Sequence, residues 1–407
     1  MPVLPAPPTD LDGVVSWVTE HLGHLTCDEV RASGIRGGQS AADTALATLD
    51  VSGYASNRST VAPVARRGAS QMSPYIRHGL VDLPTVWDAV ADAPSRDRGK
   101  YRDELLWQEY ARHLYARVGG AMGSSLRHEQ PVGDWADGRG RFGPDDPWPA
   151  EMACMQATVT ELHDDGWLVN QTRMWLASQW AVRAGATWRD GEDEMFRHLV
   201  DGSRAANRLG WQWTVGTGSG KPYGFSRWQV EKRAPGVCGR CALRDACPVQ
   251  DWPEASTGAR LEPPAGLGGG ETDAGPLDPL VTGTPEAVWL TAESLGTDDP
   301  ALLAHPDLPA VFVLDEPLLG RLRLSGKRLV FLAETLAELG CEVRLGDPVE
   351  ELAGTPLATT FAPVPGWRRR ADRLEVAALH PWRWLRRPGG GPLRSFSAWV
   401  RKDGARR

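Results

Sequence analysis

Apolar residues recur at helical spacing from Leu168 to Val182 and again from Met195 to Leu199, which predicts two helices sharing a core. Further helices are predicted over Leu11–Leu22, over the second part of GGQSAADTALATLD (37–50) with a cap near Ser40, and through ELLWQEY from Glu104. Residues 117–150 are rich in Gly, Asp and Pro and read as loop. From residue 285 the pattern changes to short β-rich runs: AVWLTAE, AVFVLDE, EVRLG, ATTFAP and EVAAL. Helices at Gly326–Leu339 and Pro348–Leu352 separate some of them, so a parallel sheet is expected. The Gly-, Pro- and acid-rich stretch 253–284 reads as a flexible linker. The expected organisation is a mostly helical domain over 1–252, that linker, and a small α/β domain over 285–407.

Some polar residues interrupt the apolar helices. Asn170, Arg173, Asp201 and Asn207 would be costly if buried alone. A flat heteroaromatic ligand rich in acceptors would pair them, and Arg173 and Asp201 suit each other as an ion pair flanking it. Six tryptophans (Trp167, Trp175, Trp180, Trp188, Trp211 and Trp213) fall within 161–218, of 18 in the chain. That abundance points to stacking or electron transfer as well as to a Trp-heavy core. Glu104 and Trp107, three apart, share a helix face and suit hydrogen bonding and stacking to a base, or else the surface and core sides of an amphipathic helix. In GASQMSPY (68–75), a Gly followed by small hydroxyl and backbone donors leads into a helix and can hold a diphosphate.

Cys238-x2-Cys241-x5-Cys247-Pro248 has metal-ligand spacing, and Cys154 in MACMQA is the candidate fourth ligand. An iron–sulfur cluster, a zinc held by four thiolates or by three and an imidazole, and free thiols remain distinct readings. Cys27 and Cys341 have no partner pattern and read as small core residues. Net charge is −7, which does not suit a protein that coats nucleic acid but leaves room for a local basic cleft. Basic clusters at Arg66, Arg67 and Arg77, and at Arg368–Arg370, Arg383, Arg386 and Arg387, read as solvated faces when taken alone. With no charged leader before an apolar run and no long apolar run, a cytoplasmic monomer with no membrane segment is expected.

The blocks GWxxNxxRM, W-R-x-G-E and DGxxAANxxGWQWxxGTG, in this order, resemble the FAD-binding domain of DNA photolyases and cryptochromes. The resemblance implies blue-light-dependent repair of cyclobutane pyrimidine dimers in damaged DNA, a carbon–carbon lyase reaction. Arg173 and Asp201 would hold the isoalloxazine, with Asn207 near its N5. Asn170, Met174, Glu104, Trp107 and Trp213 would face the lesion. Ala69, Ser70, Met72 and Ser73 match the diphosphate loop, with Tyr54 and Arg58 upstream. This chain departs from the family pattern at Ala69 (usually Thr), Gln108 (usually Arg) and Ser203 (usually acidic). Trp211 and Trp188 match the inner and middle members of the electron-transfer chain, with Trp135 the surface member by position and Trp148 its alternative.

The cysteine pattern is similar to that of iron–sulfur bacterial photolyases, which implies a [4Fe-4S] cluster on Cys154, Cys238, Cys241 and Cys247. That group repairs (6-4) photoproducts, so the cysteines and the lesion-facing residues imply different substrates. The strand-rich runs and GGPLRSFSAWVRK resemble the Rossmann-like antenna domain of photolyases, which in the family precedes the flavin domain. The chain therefore reads as circularly permuted. A deazaflavin or folate antenna is compatible with it but has no placed contacts. The functions that compete with dimer repair are a cryptochrome-like light sensor, (6-4) repair, and a flavin-free nucleic-acid binder held by a metal site.

Overall fold

The computed structural model describes residues 3–131, 142–253 and 256–402. Its α/β part is one six-stranded sheet of order β1-β6-β5-β2-β3-β4, with β1 Leu280–Val281, β2 Ala287–Leu290, β3 Ala310–Asp315, β4 Glu342–Gly346, β5 Leu357–Thr360 and β6 Val376–His380. All neighbours are parallel except β1, which runs antiparallel to β6 at the edge. Central β2 is buried along its whole length, as an apolar run covered on both faces should be. The predicted helix Gly326–Leu339 is present with those bounds, and the next forms over Pro348–Glu351.

Residues 3–22 pack against the α/β part, while Arg31 and Ser33 bond to Asp164 and Asp165 of the helical part. Leu4 N donates to Val343 O at 2.9 Å. The Leu11–Leu22 helix packs on Gly326–Leu339, burying Val14, Trp17, Val18 and Leu22. Gly326–Leu339 is thus covered on several sides, and even Lys327 and Arg328 are buried. A single core cluster runs through both lobes, from Val14 through Trp167 and Trp211 to Phe331 and Ala378.

The second helix forms at Gln39–Ala47, and its N-terminus is capped differently from the expectation at Ser40. The Ser40 hydroxyl does not cap it. Glu338 Oε2 accepts from Ser40 N at 2.8 Å, Thr335 Oγ1 from Gly38 N at 3.0 Å and Glu334 Oε2 from Gly37 N at 2.7 Å. Carboxylates of the α/β lobe therefore satisfy the free amides of this helix. Gly38 makes the approach feasible, since its φ is +98° and a Cβ there would meet Glu338.

The stretch read as a flexible linker is docked along the surface. Leu267 is buried, its carbonyl accepts from Leu393 N at 3.0 Å, and Arg117 Nε reaches Thr272 Oγ1 at 2.6 Å. The Ser95–Val118 helix carries both Arg117 and the Glu104 motif, so the docked segment lies on the back of a candidate site element.

Candidate functional site

Asn170–Ala177 is a helix that widens into a π turn over Ser178–Arg183, a departure frequent at functional sites. Arg173 Nη2 lies 2.7 Å from Asp201 Oδ2, with side-chain exposures of 19% and 3%. Asp201 sits on the loop between the helices Trp188–His198 and Arg204–Val215. Both lobes hold that loop. Arg77 Nε donates to Gly202 O at 2.8 Å and Arg328 Nη2 donates to the same carbonyl at 3.1 Å. The Arg328 guanidinium lies over the Phe196 ring at 4.5 Å. Burial first, and then Arg77 and Arg204, pull the Arg328 pKa down to about 9.

Three buried polar atoms on this loop and the helix that follows it have no hydrogen-bond partner among the described residues: Asp201 Oδ1, Asn207 Nδ2 and Trp211 Nε1. Each such group costs roughly 1–3 kcal/mol if left unpaired. One acceptor and two donors suit the edge of a ring system that carries both N–H and acceptor atoms, so the residues present fit a flavin. Ser203, where the family pattern usually has an acidic residue, has a local partner. It is the N-cap of Arg204–Val215, and its Oγ accepts from Ala206 N at 3.5 Å.

A second group of predicted residues converges from separate parts of the chain. Tyr54 packs edge-on to Tyr101 at 4.9 Å, and the Ser70 and Tyr101 hydroxyls are 3.0 Å apart. Burial pushes the Tyr101 hydroxyl up to about 12, so it stays a neutral hydrogen-bonding group. Glu104 pairs with Lys100 at 2.6 Å and lies 3.5 Å from Arg58. Ser73 Oγ accepts from Trp167 Nε1 at 3.0 Å, Met72 is buried, and Ala69 packs against the core. Sequence reasoning missed Tyr101 and Trp167 as organisers of this loop. The signal for Tyr101 was its helical spacing from Leu105, and that for Trp167 was its place among the clustered tryptophans.

The five residues expected to face a lesion are all accessible in some degree, unlike the Asp201–Asn207 group. Asn170 is exposed, Trp213 is 43% exposed, and Glu104, Trp107 and Met174 are partly exposed. Phe396, on the helix Phe396–Lys402, stacks on Trp107 with centroids 3.9 Å apart and planes at 12°. One face of Trp107 is thereby fixed by protein. Arg67 is paired with Glu161, Arg77 with Glu293 at 3.0 Å and Arg383 with Asp82 at 2.9 Å, so much of the basic clustering is consumed within the fold. Trp211 and Trp188 are both buried, and Trp188 Nε1 lies 3.3 Å from Ser125 Oγ. Trp135 lies outside the described residues.

Cys154 opens the helix Ala153–Asp165, and the loop at 238–248 brings Cys238, Cys241 and Cys247 toward it. Burial first, and then the proximity of Cys238, Cys247 and Cys241, pushes the Cys154 thiol up to about 12. Ala153 N lies 3.5 Å from Cys241 Sγ. Among the described residues no three of these sulfurs come within 4.8 Å of one another. Ligands of one tetrahedral zinc at about 2.3 Å would sit roughly 3.8 Å apart. Arg183, at the end of the π turn, donates to Pro248 O at 3.1 Å and Asp251 O at 2.6 Å, tying this loop to the helix that bears Arg173.

The family profile described as the FAD binding domain of DNA photolyase matches residues 101–231, which include Trp107, Arg173, Asp201, Asn207 and Trp213. Residues 101–231 thus carry the FAD-binding domain of the photolyase/cryptochrome family. A deoxyribodipyrimidine photo-lyase of Synechococcus is 26% identical over 162 residues, 38% of this chain and 34% of that relative. The protein of the same name from Escherichia coli K12 is 33% identical over 127 residues, 29% of this chain and 25% of that relative. The chain thus spans about a third of the length of the curated relatives it matches. A bacterial class III photolyase from Agrobacterium tumefaciens is 26% identical with a TM-score of 0.40, over 48% of this chain and 42% of that one. A Synechocystis cryptochrome is 18% identical with a TM-score of 0.43, over 51% and 46%. No described helix is long and apolar enough to cross a membrane.

Proposed function

We propose that the protein is a light-driven photolyase that repairs cyclobutane pyrimidine dimers in DNA. What supports this reading is the buried Arg173–Asp201 pair with the unpartnered Asp201 Oδ1 and Asn207 Nδ2, together with the accessibility of Glu104, Trp107 and Trp213. FAD bound there, reduced and excited by blue light, would supply the electron that splits the dimer and take it back once the ring has opened. Arg173, Asp201 and Asn207 would hold its ring, and Tyr54, Arg58 and the 68–73 loop would meet its phosphates. Trp107, braced by Phe396, and Trp213 stack the flipped-out bases. Glu104, beside Lys100 and Arg58, would in its protonated form donate a hydrogen bond to a pyrimidine carbonyl as negative charge develops there. Asn170 and Met174 shape the pocket rim. Trp211 and Trp188 would carry electrons toward the flavin.

The four cysteines support a [4Fe-4S] cluster through their Cys-x2-Cys-x5-Cys-Pro spacing and the nearness of those three to Cys154. Its role is to staple the 238–248 loop to the start of the Ala153–Asp165 helix. The order of the two lobes fits a permuted photolyase, with the sheet as the antenna-type domain.

The test is an anaerobic repair assay with photoreduced protein on oligonucleotides holding one cyclobutane dimer or one (6-4) product. Light-dependent loss of the dimer alone supports the proposal. Loss of the (6-4) product alone would make the cysteines the better guide to substrate. Repair of neither, with flavin bound and photoreducible, would place the protein among light sensors.

A further inference from the structure

Two histidines and a glutamate outside the sites described above converge where the helical part approaches the helix Gly326–Leu339. His163 stands near the end of Ala153–Asp165, and Glu194 and His198 stand one turn apart on Trp188–His198. Each offers a ligand atom within 4.8 Å of the other two. The imidazole centroids are 4.3 Å apart. His198 Nε2 lies 3.3 Å from Glu194 Oε1, while His163 Nε2 is buried without a hydrogen bond among the described residues. His198 Nδ1 is likewise buried without one, in a residue only 6% exposed. Two imidazole nitrogens deprived of both water and a partner are costly unless something else engages them.

We infer that His163, Glu194 and His198 bind one borderline divalent cation, zinc being the type, with the fourth position left to water. Two imidazoles and one carboxylate are the donor set of an open zinc site. The same set disfavours magnesium and calcium, which take oxygen ligands. Tetrahedral ligands at about 2.0–2.1 Å from the ion stand roughly 3.4 Å apart, so the three groups need to close by about 1.4 Å at most. Rotation of exposed and half-buried side chains supplies a movement of that size. The site does not depend on the flavin reading.

The surroundings hold these ligands in place. Arg197 pairs with Glu194 Oε2, which leaves Oε1 facing His198. Asp28 Oδ2 stands 3.4 Å from His198 Nδ1, on the opposite edge of the ring from Glu194. Asp28 is itself fixed by Gly326 N at 2.7 Å and Lys327 Nζ at 3.4 Å. A carboxylate behind a ligating imidazole sets its tautomer and raises its basicity. Cys27 also neighbours Asp28 and His198. Burial first, and then Asp28, pushes the Cys27 thiol up to about 11, and Asp28 is engaged with Gly326–Leu339, so that trio is the weaker ligand set. Glu194 lines an open cleft together with Val159, one turn before His163, and the ion can enter there. Once bound, it would clamp the end of Ala153–Asp165 onto Trp188–His198 and, through Asp28, onto Gly326–Leu339.

The experiment titrates Co2+, which takes zinc's place and absorbs visibly, into the full chain after EDTA has removed loosely held metal. Cobalt taken up by cysteines shows thiolate charge-transfer bands in the near ultraviolet and is counted separately. The expected result is one Co2+ per chain with visible bands and no thiolate band, displaced by Zn2+, with a melting temperature that rises on binding. His163→Ala and the shape-conserving Glu194→Gln should each weaken that uptake by roughly 100-fold, since even partners behind the ligands are worth about 10–100-fold. Circular dichroism of the metal-free variants reports folding. His305→Gln removes a different close histidine pair, with His305 Nε2 3.1 Å from His380 Nε2, and should leave the uptake unchanged. Wild-type affinity in folded His163→Ala or Glu194→Gln would overturn the inference. So would cobalt bound only with thiolate bands, or a wild type that binds neither ion.

Discussion

Gly191 allows a quantitative test of the packing between the flavin site and the surface tryptophans. It lies in the middle of the helix Trp188–His198, where Ala should be better by about 0.8–1 kcal/mol on helix propensity alone. The structure reverses that sign. An added methyl would strike the Trp211 ring and lie 2.7 and 2.8 Å from two atoms of Trp180, and both rings are anchored in helices. Overpacking of this kind costs roughly 1–3 kcal/mol, toward the upper end when the neighbours are rigid. Gly191→Ala should therefore be destabilised by about 1–2 kcal/mol net. Gly210 provides the control. It is in the helix Arg204–Val215, is exposed, and has nothing within 4 Å of an added Cβ. Gly210→Ala should gain the propensity term of about 1 kcal/mol, so the two variants should differ by some 2–3 kcal/mol. Urea denaturation followed by tryptophan fluorescence measures both. If Gly191→Ala equals or exceeds wild type in midpoint at unchanged slope, the close approach of Trp211 and Trp180 is wrong.

Other consequences follow from the same geometry. Asp201→Asn keeps the shape but removes the charge facing Arg173, and should weaken flavin binding by roughly 10–150-fold, the worth of one hydrogen bond to a charged group; retention at wild-type affinity in equilibrium dialysis would exclude Asp201 as a flavin contact. His78 is buried between the lobes, its ring nitrogens 3.0 Å from Ala292 O and 3.3 Å from Val200 O, and burial, then Arg77 and Arg328, depress its pKa to about 3. Because the unfolded chain takes up this proton near pH 6.5, the contribution is complete above that pH and is lost as pH falls, by at most about 1.4 kcal/mol per unit. Between pH 6.5 and 5, His78→Gln should lose up to about 2 kcal/mol less stability than wild type; parallel pH curves from urea melts would rule the effect out. Cys238→Ala should lower iron and sulfide content together with the melting temperature, whereas a wild type holding stoichiometric zinc would dismiss the cluster.

Where periodicity is local, the sequence is nearly sufficient. Leu11–Leu22 and Gly326–Leu339 are helices within the predicted bounds, and each β-rich run after residue 285 contributes a strand. The Arg173–Asp201 pair was legible for a related reason: two opposite charges on apolar surroundings have few acceptable outcomes. What escaped depends on tertiary contact. The cap on the second helix comes from Glu338, 298 residues away, and no local pattern announces it. Residues 253–284 have a linker's composition, yet Leu267 and Arg117 anchor them, because a few apolar and charged anchors outweigh Gly and Pro content. Phe396 on Trp107, and Trp180 against Trp148, are aromatic contacts between segments far apart or set by a π turn that shifts the helical register.

The most direct test of the account is the flavin content of the purified protein. One FAD per chain, non-covalently held, released on unfolding and reduced under blue light with a thiol donor, is the predicted result. Preparations that remain free of flavin after reconstitution with excess FAD, while folded by circular dichroism, would contradict it, because Asp201 Oδ1, Asn207 Nδ2 and Trp211 Nε1 would then lack the ligand on which every functional step here depends.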